Sequence, residues 1–138
     1  MKYFSIAEFL NSDAADKYQV SNMPADEELL AVLNNINALV NNVLDPLRAM
    51  IARPIIITSG YRSQRVNELV GGSKTSQHML GKAADIHIQG YTPQQMETVY
   101  RTIQMYYDFD QLIFYPSKNI IHVSWNGNKN RQESWVKA

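Results

Sequence analysis

The stretch Ser76-Gln77-His78-Met79-Leu80-Gly81-Lys82-Ala83-Ala84-Asp85 decides how this chain reads. A histidine stands in a loop, small residues follow, and an aspartate lies seven positions on, in the next strand. Gly81 and Ala83 keep the connection small, so both side chains can converge. Another histidine comes later, in Ile120-Ile121-His122-Val123-Ser124-Trp125, and the chain has only three. Two imidazoles and a carboxylate, His78, Asp85 and His122, suit one zinc ion whose fourth position is left to water. On spacing alone, three unrelated polar residues are an equal reading, because sequence distance is a weak guide to spatial distance. His87 lies two positions past Asp85 and would share its strand face. It reads as a partly exposed strand histidine and stays outside the ligand set.

Working outward, Pro54-Ile55-Ile56-Ile57-Thr58 is a short β-branched run that predicts a buried strand. A short helix over Ser63 to Val70 follows, closed by Gly71-Gly72. Ala83 to Gln89 predicts a second strand. Thr92-Pro93-x-Gln95 opens a helix to about Tyr106, with Thr as cap and Gln completing the box. Asp110 to Tyr115 and Ile120 to Trp125 predict two strands joined by Pro116-Ser117-Lys118-Asn119. Upstream, Ser5-x-x-Glu8 opens a short helix. Leu29, Val32, Leu33, Ile36, Leu39, Val40, Val43 and Leu47 recur at helical spacing, with asparagines expected outward. Pro46 predicts a kink or restart near Asp45, since it has no N–H to donate. The sum is an α+β domain, with a small, mostly antiparallel sheet packed with helices. Residues 1–138 form a single domain, and the polar stretch 126–138 is expected to be a flexible tail.

The chain carries 13 basic and 13 acidic residues and no cysteine. Balanced charge gives no reason to expect nucleic acid or an anionic membrane as partner. Thiolate ligands and disulfides are excluded. No apolar run is long enough to span a bilayer, and Glu8 interrupts the only apolar start, so no secretory signal is read. No stable membrane insertion is expected, and a monomer is.

Ser76-x-His78-x-x-Gly81-x-Ala83-x-Asp85, the later His122-Val123-Ser124 and the preceding Ser59-Gly60-Tyr61-Arg62-Ser63 together carry a resemblance. From about Phe4 to Trp125 the chain resembles the zinc D-alanyl-D-alanine carboxypeptidases and L-alanyl-D-glutamate endopeptidases, peptidoglycan peptidases of the hedgehog-type fold. The resemblance implies one zinc ion held by His78, Asp85 and His122, and cleavage of peptide bonds in wall stem peptides. It also implies that Arg62 contacts the substrate and helps polarise the scissile carbonyl. A guanidinium can make the two-point bond this needs, although a surface salt bridge is the ordinary fate of an arginine. Ser76 is implied at the substrate site, and Ser124 is expected to donate a hydrogen bond beside His122. Trp125, on the strand of His122, is expected to line a peptide groove. A chain read without a signal peptide suits a phage-type lysis enzyme that is made in the cytoplasm and reaches the wall through a membrane lesion.

A zinc peptidase needs a carboxylate to accept a proton from water. Many relatives place a glutamate three residues before the last histidine, where this chain has Asn119. Others end the Asp-Gln-Leu-Ile strand in glutamate, where it has Tyr115. Asp110 is then the acidic residue expected to act as base, with a strand-start cap as the equal alternative. The departure keeps open a second reading, a non-catalytic zinc module that binds peptidoglycan or protein.

Overall fold

The computed structural model describes residues 1–138. Two short helices, α1 (Ile6–Leu10) and α2 (Asp13–Tyr18), precede the long α3 (Asp26–Leu39). A π-helical turn, Val40–Leu44, then leads into α4 (Asp45–Ile51). The expected disturbance at Pro46 takes this form. Pro46 sits in the first turn of α4, and the Asp45 N–H reaches back five residues to the Val40 carbonyl. The helix thus widens where proline removes a donor, and restarts beyond it.

The remaining elements are β1 (Ile55–Ser59), α5 (Gln64–Leu69), β2 (Ala83–Ile88), α6 (Pro93–Tyr106), β3 (Gln111–Tyr115), β4 (Ile120–Ser124) and β5 (Glu133–Val136). Ser63 caps α5 through the Val66 N–H, and Thr92 with Gln95 closes the capping box of α6. The five strands form one sheet in the order β1-β2-β4-β3-β5. Every pairing is antiparallel except β3 with β5. The α+β expectation holds.

The carboxy-terminal stretch departs from its expectation as a loose tail. Residues 133–136 pair in parallel with β3, and the Lys137 N–H donates to the Phe114 carbonyl at 2.8 Å. Composition hid this strand, since one turn of polar residues and a four-residue run carry no readable period.

Strand alternation sorts the sheet into two faces. Ile86, Ile88, Leu112, Phe114, Ile121 and Val123 are all nearly inaccessible and join Ile36, Leu39, Leu47, Met96 and Ile103 in the core. The other face carries Asp85, His87, Ile113, Tyr115 and His122. Fully burying side chains of the first set contributes about 1.5–3 kcal/mol each. That energy fixes the register, because a one-residue slip would send Asp85 and His122 into the apolar core. No helix is long and apolar enough to cross a membrane.

Candidate metal centre

Asp85 and His122 stand directly opposite each other in the β2–β4 ladder. Opposed residues of an antiparallel pair share a face and touch. Here the His122 Nδ1 lies 2.8 Å from Asp85 Oδ1. His78 comes from a single 3-10 turn, Gln77–Leu80, between α5 and β2. Its Nε2 lies 3.4 Å from the same Asp85 oxygen, and the two imidazole rings meet edge to face at 5.2 Å. The donor atoms of the three residues all lie within 4.8 Å of one another.

The turn that carries His78 is built to aim it. Ser76 caps it, its hydroxyl accepting from the His78 N–H at 3.2 Å. Gly81 ends it at φ +74, and a Cβ there would lie 2.8 Å from the Val32 carbonyl. Asn35, expected to face outward from α3, instead donates to the Leu80 carbonyl at 2.8 Å and pins the turn to the helix. The His78 Nδ1–H donates to the Gly60 carbonyl at 2.7 Å. That bond fixes the ring's orientation and turns Nε2 toward Asp85, the placement a metal-ligating histidine needs. Gly60 itself tolerates no side chain, because a Cβ would sit 2.7 Å from the Phe9 backbone.

Burial pushes the Asp85 carboxyl up. The hydrogen bonds from His122 and His78 outweigh this and hold it well below the usual carboxylate range. Asp85 therefore stays anionic, as a metal ligand must. Two imidazole nitrogens and one carboxylate in this grouping fit zinc.

Arg62 completes the cluster. The β1–β2 register shifts between Ile57 and Ser59, a bulge that places Ser59 opposite Asp85. Arg62 lies just beyond, its Nε donating to Ser59 Oγ at 3.2 Å and its Nη1 to Asn67 Oδ1 at 3.4 Å. Its Nη2 stands 3.6 Å from Asp85 Oδ2. Burial lowers the guanidinium pKa, and Asp85 and Tyr115 partly offset the effect. The guanidinium is held on two sides, with 19% of the side chain open to an incoming group. Sequence reasoning missed Ser59, Gly60 and Asn67 in these positioning roles. Ser59 and Gly60 lay inside a quoted motif, but a backbone carbonyl leaves no mark on residue type.

Three expected residues have other roles here. Asp110 is fully buried just before β3, and both its oxygens are taken. Oδ1 accepts from the Arg131 N–H at 2.8 Å and from Arg131 Nε at 3.0 Å. Oδ2 accepts from Arg131 Nη2 at 2.9 Å and from Gln77 Nε2 at 2.8 Å. Four donors fill a carboxylate's four lone-pair sites, so none is left to receive a proton from water. These Arg131 bonds also hold the carboxyl below its ordinary value. Asp110 is a structural clamp, not a general base. Trp125 falls three residues past His122, an odd offset, and packs as a partly buried side chain against the core cluster. The Ser124 hydroxyl accepts from the Gln111 N–H at 3.0 Å, stitching β3 to β4, and makes no bond to His122.

His87 shares the face of Asp85 but donates from Nδ1 to the Asn119 carbonyl at 2.9 Å, outside the ligand group. Asn119 sits in the β3–β4 turn at φ +55 and spends its amide on the Tyr91 carbonyl. Tyr115 lies on the open face. Burial raises its phenol first and the Asp85 charge second, with Arg62 pulling the other way, so it stays protonated at neutral pH. Asp85 is thus the only carboxylate in the convergent group.

No curated protein sequence matches the chain. The family model described as Peptidase M15 matches residues 2–124, which spans the capped first helix, the His78 turn and both strands that carry Asp85 and His122. The chain therefore belongs to the Peptidase M15 family, the zinc peptidases of D-alanyl-D-alanine carboxypeptidase type.

Proposed function

We propose that this protein is a zinc-dependent hydrolase of peptide bonds in the stem peptides of bacterial peptidoglycan, with His78, Asp85 and His122 holding one zinc ion. The observation that carries the reading is the convergence of those three donor sets beside a fixed guanidinium. Bound there, zinc supplies Lewis acidity and an activated water. Asp85 keeps its charge in the cluster, and the His78 Nδ1 bond to Gly60 keeps the imidazole oriented. Arg62 receives a carbonyl or carboxylate oxygen of the peptide through its free N–H groups. Donors fixed in advance of the reaction stabilise developing negative charge without reorganising. Tyr115, protonated on the same face, can donate to substrate but cannot take up a proton.

That last point favours a second reading, a zinc module that holds peptidoglycan peptides without cutting them. Its ground is specific: Asp110 is saturated by Arg131 and Gln77, and Asn119 and Tyr115 are not carboxylates. The test is incubation of the zinc-loaded protein with purified peptidoglycan, scored by new amino groups released. Hydrolysis that is lost on chelation and restored by zinc supports the peptidase. Arg62→Lys, which keeps charge but loses the planar fork, then lowers turnover at least about tenfold. Zinc-dependent retention of the peptides with no released amines would leave the binding module standing in its place.

A further inference from the structure

The 3-10 turn that carries His78, Gln77–Leu80, is one turn long, and so short a piece has little stability of its own. Its far end rests on α3, through Asn35 and Gly81. Its near end is held by residues from much later in the chain. Gln77, next to His78, donates from Nε2 to Asp110 Oδ2 at 2.8 Å. The Gln77 Oε1 is buried without a partner, so this bond is the side chain's one polar anchor. Asp110 is fully buried, and Arg131 grips it with its backbone N–H, Nε and Nη2 at 2.8, 3.0 and 2.9 Å.

A second tie brackets His78 from beyond Gly81. Lys82 Nζ donates to Asn126 Oδ1 at 2.8 Å, and the Asn126 N–H donates to Asn130 Oδ1 at 2.7 Å. Both ties lead to one segment, residues 126–131, which lies past the family match. The segment is itself fastened just before β3, where the Gln132 and Glu133 N–H groups donate to the Phe109 and Asp110 carbonyls at 3.1 and 3.0 Å.

A planar guanidinium bonded to both oxygens of a carboxylate fixes its orientation as well as its place. Asp110, so fixed, holds Gln77, and Gln77 sets where the next residue stands. We propose that Arg131 is a positioning residue for His78, acting through Asp110 and Gln77 to set the imidazole against Asp85 and His122. Its consequence for metal binding rests on the zinc reading, whereas the relay itself needs no metal.

The test is zinc affinity of the full chain by competition with a chelator, together with the His78 ring resonances of the zinc-free protein by NMR. Gln77→Met keeps the length of the side chain and leaves Asp110 its three Arg131 bonds. It should weaken zinc about tenfold, the low end of the cost of losing a group that orients a ligand, and should shift the His78 ring resonances before zinc is added. Arg131→Ala should do the same, with Arg131→Lys, which keeps charge but loses the fork, in between. Adding Gln77→Met to Arg131→Ala should cost little more, because members of one network do not add. Gln104→Ala is the control: it removes the 2.8 Å bond that ties Ser134 of β5 to α6, a contact outside the relay, and should leave both readouts at wild-type values. Unchanged zinc affinity or unshifted His78 resonances in Gln77→Met would overturn the proposal, as would fully additive losses in the double variant or an equal loss in Gln104→Ala. A wild type that binds no zinc, with the His78 resonances still shifted in Gln77→Met, would overturn the zinc reading and leave the relay standing.

Discussion

His78 divides its two nitrogens between two tasks, and that division organises the centre. Nδ1 is spent on the Gly60 carbonyl, so Nε2 has only one direction to face. The ligand trio was legible in the sequence because its residue types are scarce: with three histidines, few combinations exist. The roles of Asp110, Trp125 and Ser124 were not legible, because each depends on a partner or a face that spacing does not reveal. Arg131, which saturates Asp110, sits 21 positions away in a stretch with no readable pattern. Asp110→Asn tests the clamp. It removes a buried acceptor from Arg131 and should lower stability by about 1–3 kcal/mol at neutral pH. Since the folded carboxyl lies below its ordinary value, its stabilisation is present above that value and is lost as pH falls through the lowered one. The gap between wild type and variant in urea unfolding should therefore close as the solution is acidified. A variant as stable as wild type at pH 7 would contradict the clamp.

At the scale of elements, the site depends on two irregularities as much as on its strands. The bulge after Ile57 swings Ser59 and Arg62 toward Asp85. The left-handed Gly81 closes the His78 turn against α3. The strands and helices were legible from period and caps, and the hairpin turn came out as expected, with Asn119 at φ +55. The bulge was not, since Ile55 to Ser59 reads as an even β-branched run. The parallel β5 was missed for lack of any period. Gly81→Ala forces a side chain into a positive φ and into the Val32 carbonyl, at a cost of roughly 1–3 kcal/mol. Calorimetry should show the lower melting temperature, and zinc affinity should fall with it because His78 rides on that turn. Unchanged affinity alongside lower stability would mean that the turn does not set the His78 position.

Across the whole molecule, one sheet serves two purposes. Its helix-covered face supplies the burial energy, and its open face presents Asp85 and His122 in fixed register, with His78 and Arg62 brought in from loops at the sheet's edge. Rigid strands between separate ligands are what hold such a centre within a few tenths of an ångström. The account therefore stands on metal binding by His78, Asp85 and His122 together. The direct measurement is zinc per chain by elemental analysis after loading and extensive dialysis. Wild type and His87→Ala should each retain one zinc per chain, while His78→Ala, Asp85→Ala and His122→Ala should each retain almost none with the fold preserved by circular dichroism. Full zinc in His122→Ala, or its loss in His87→Ala, would contradict the account.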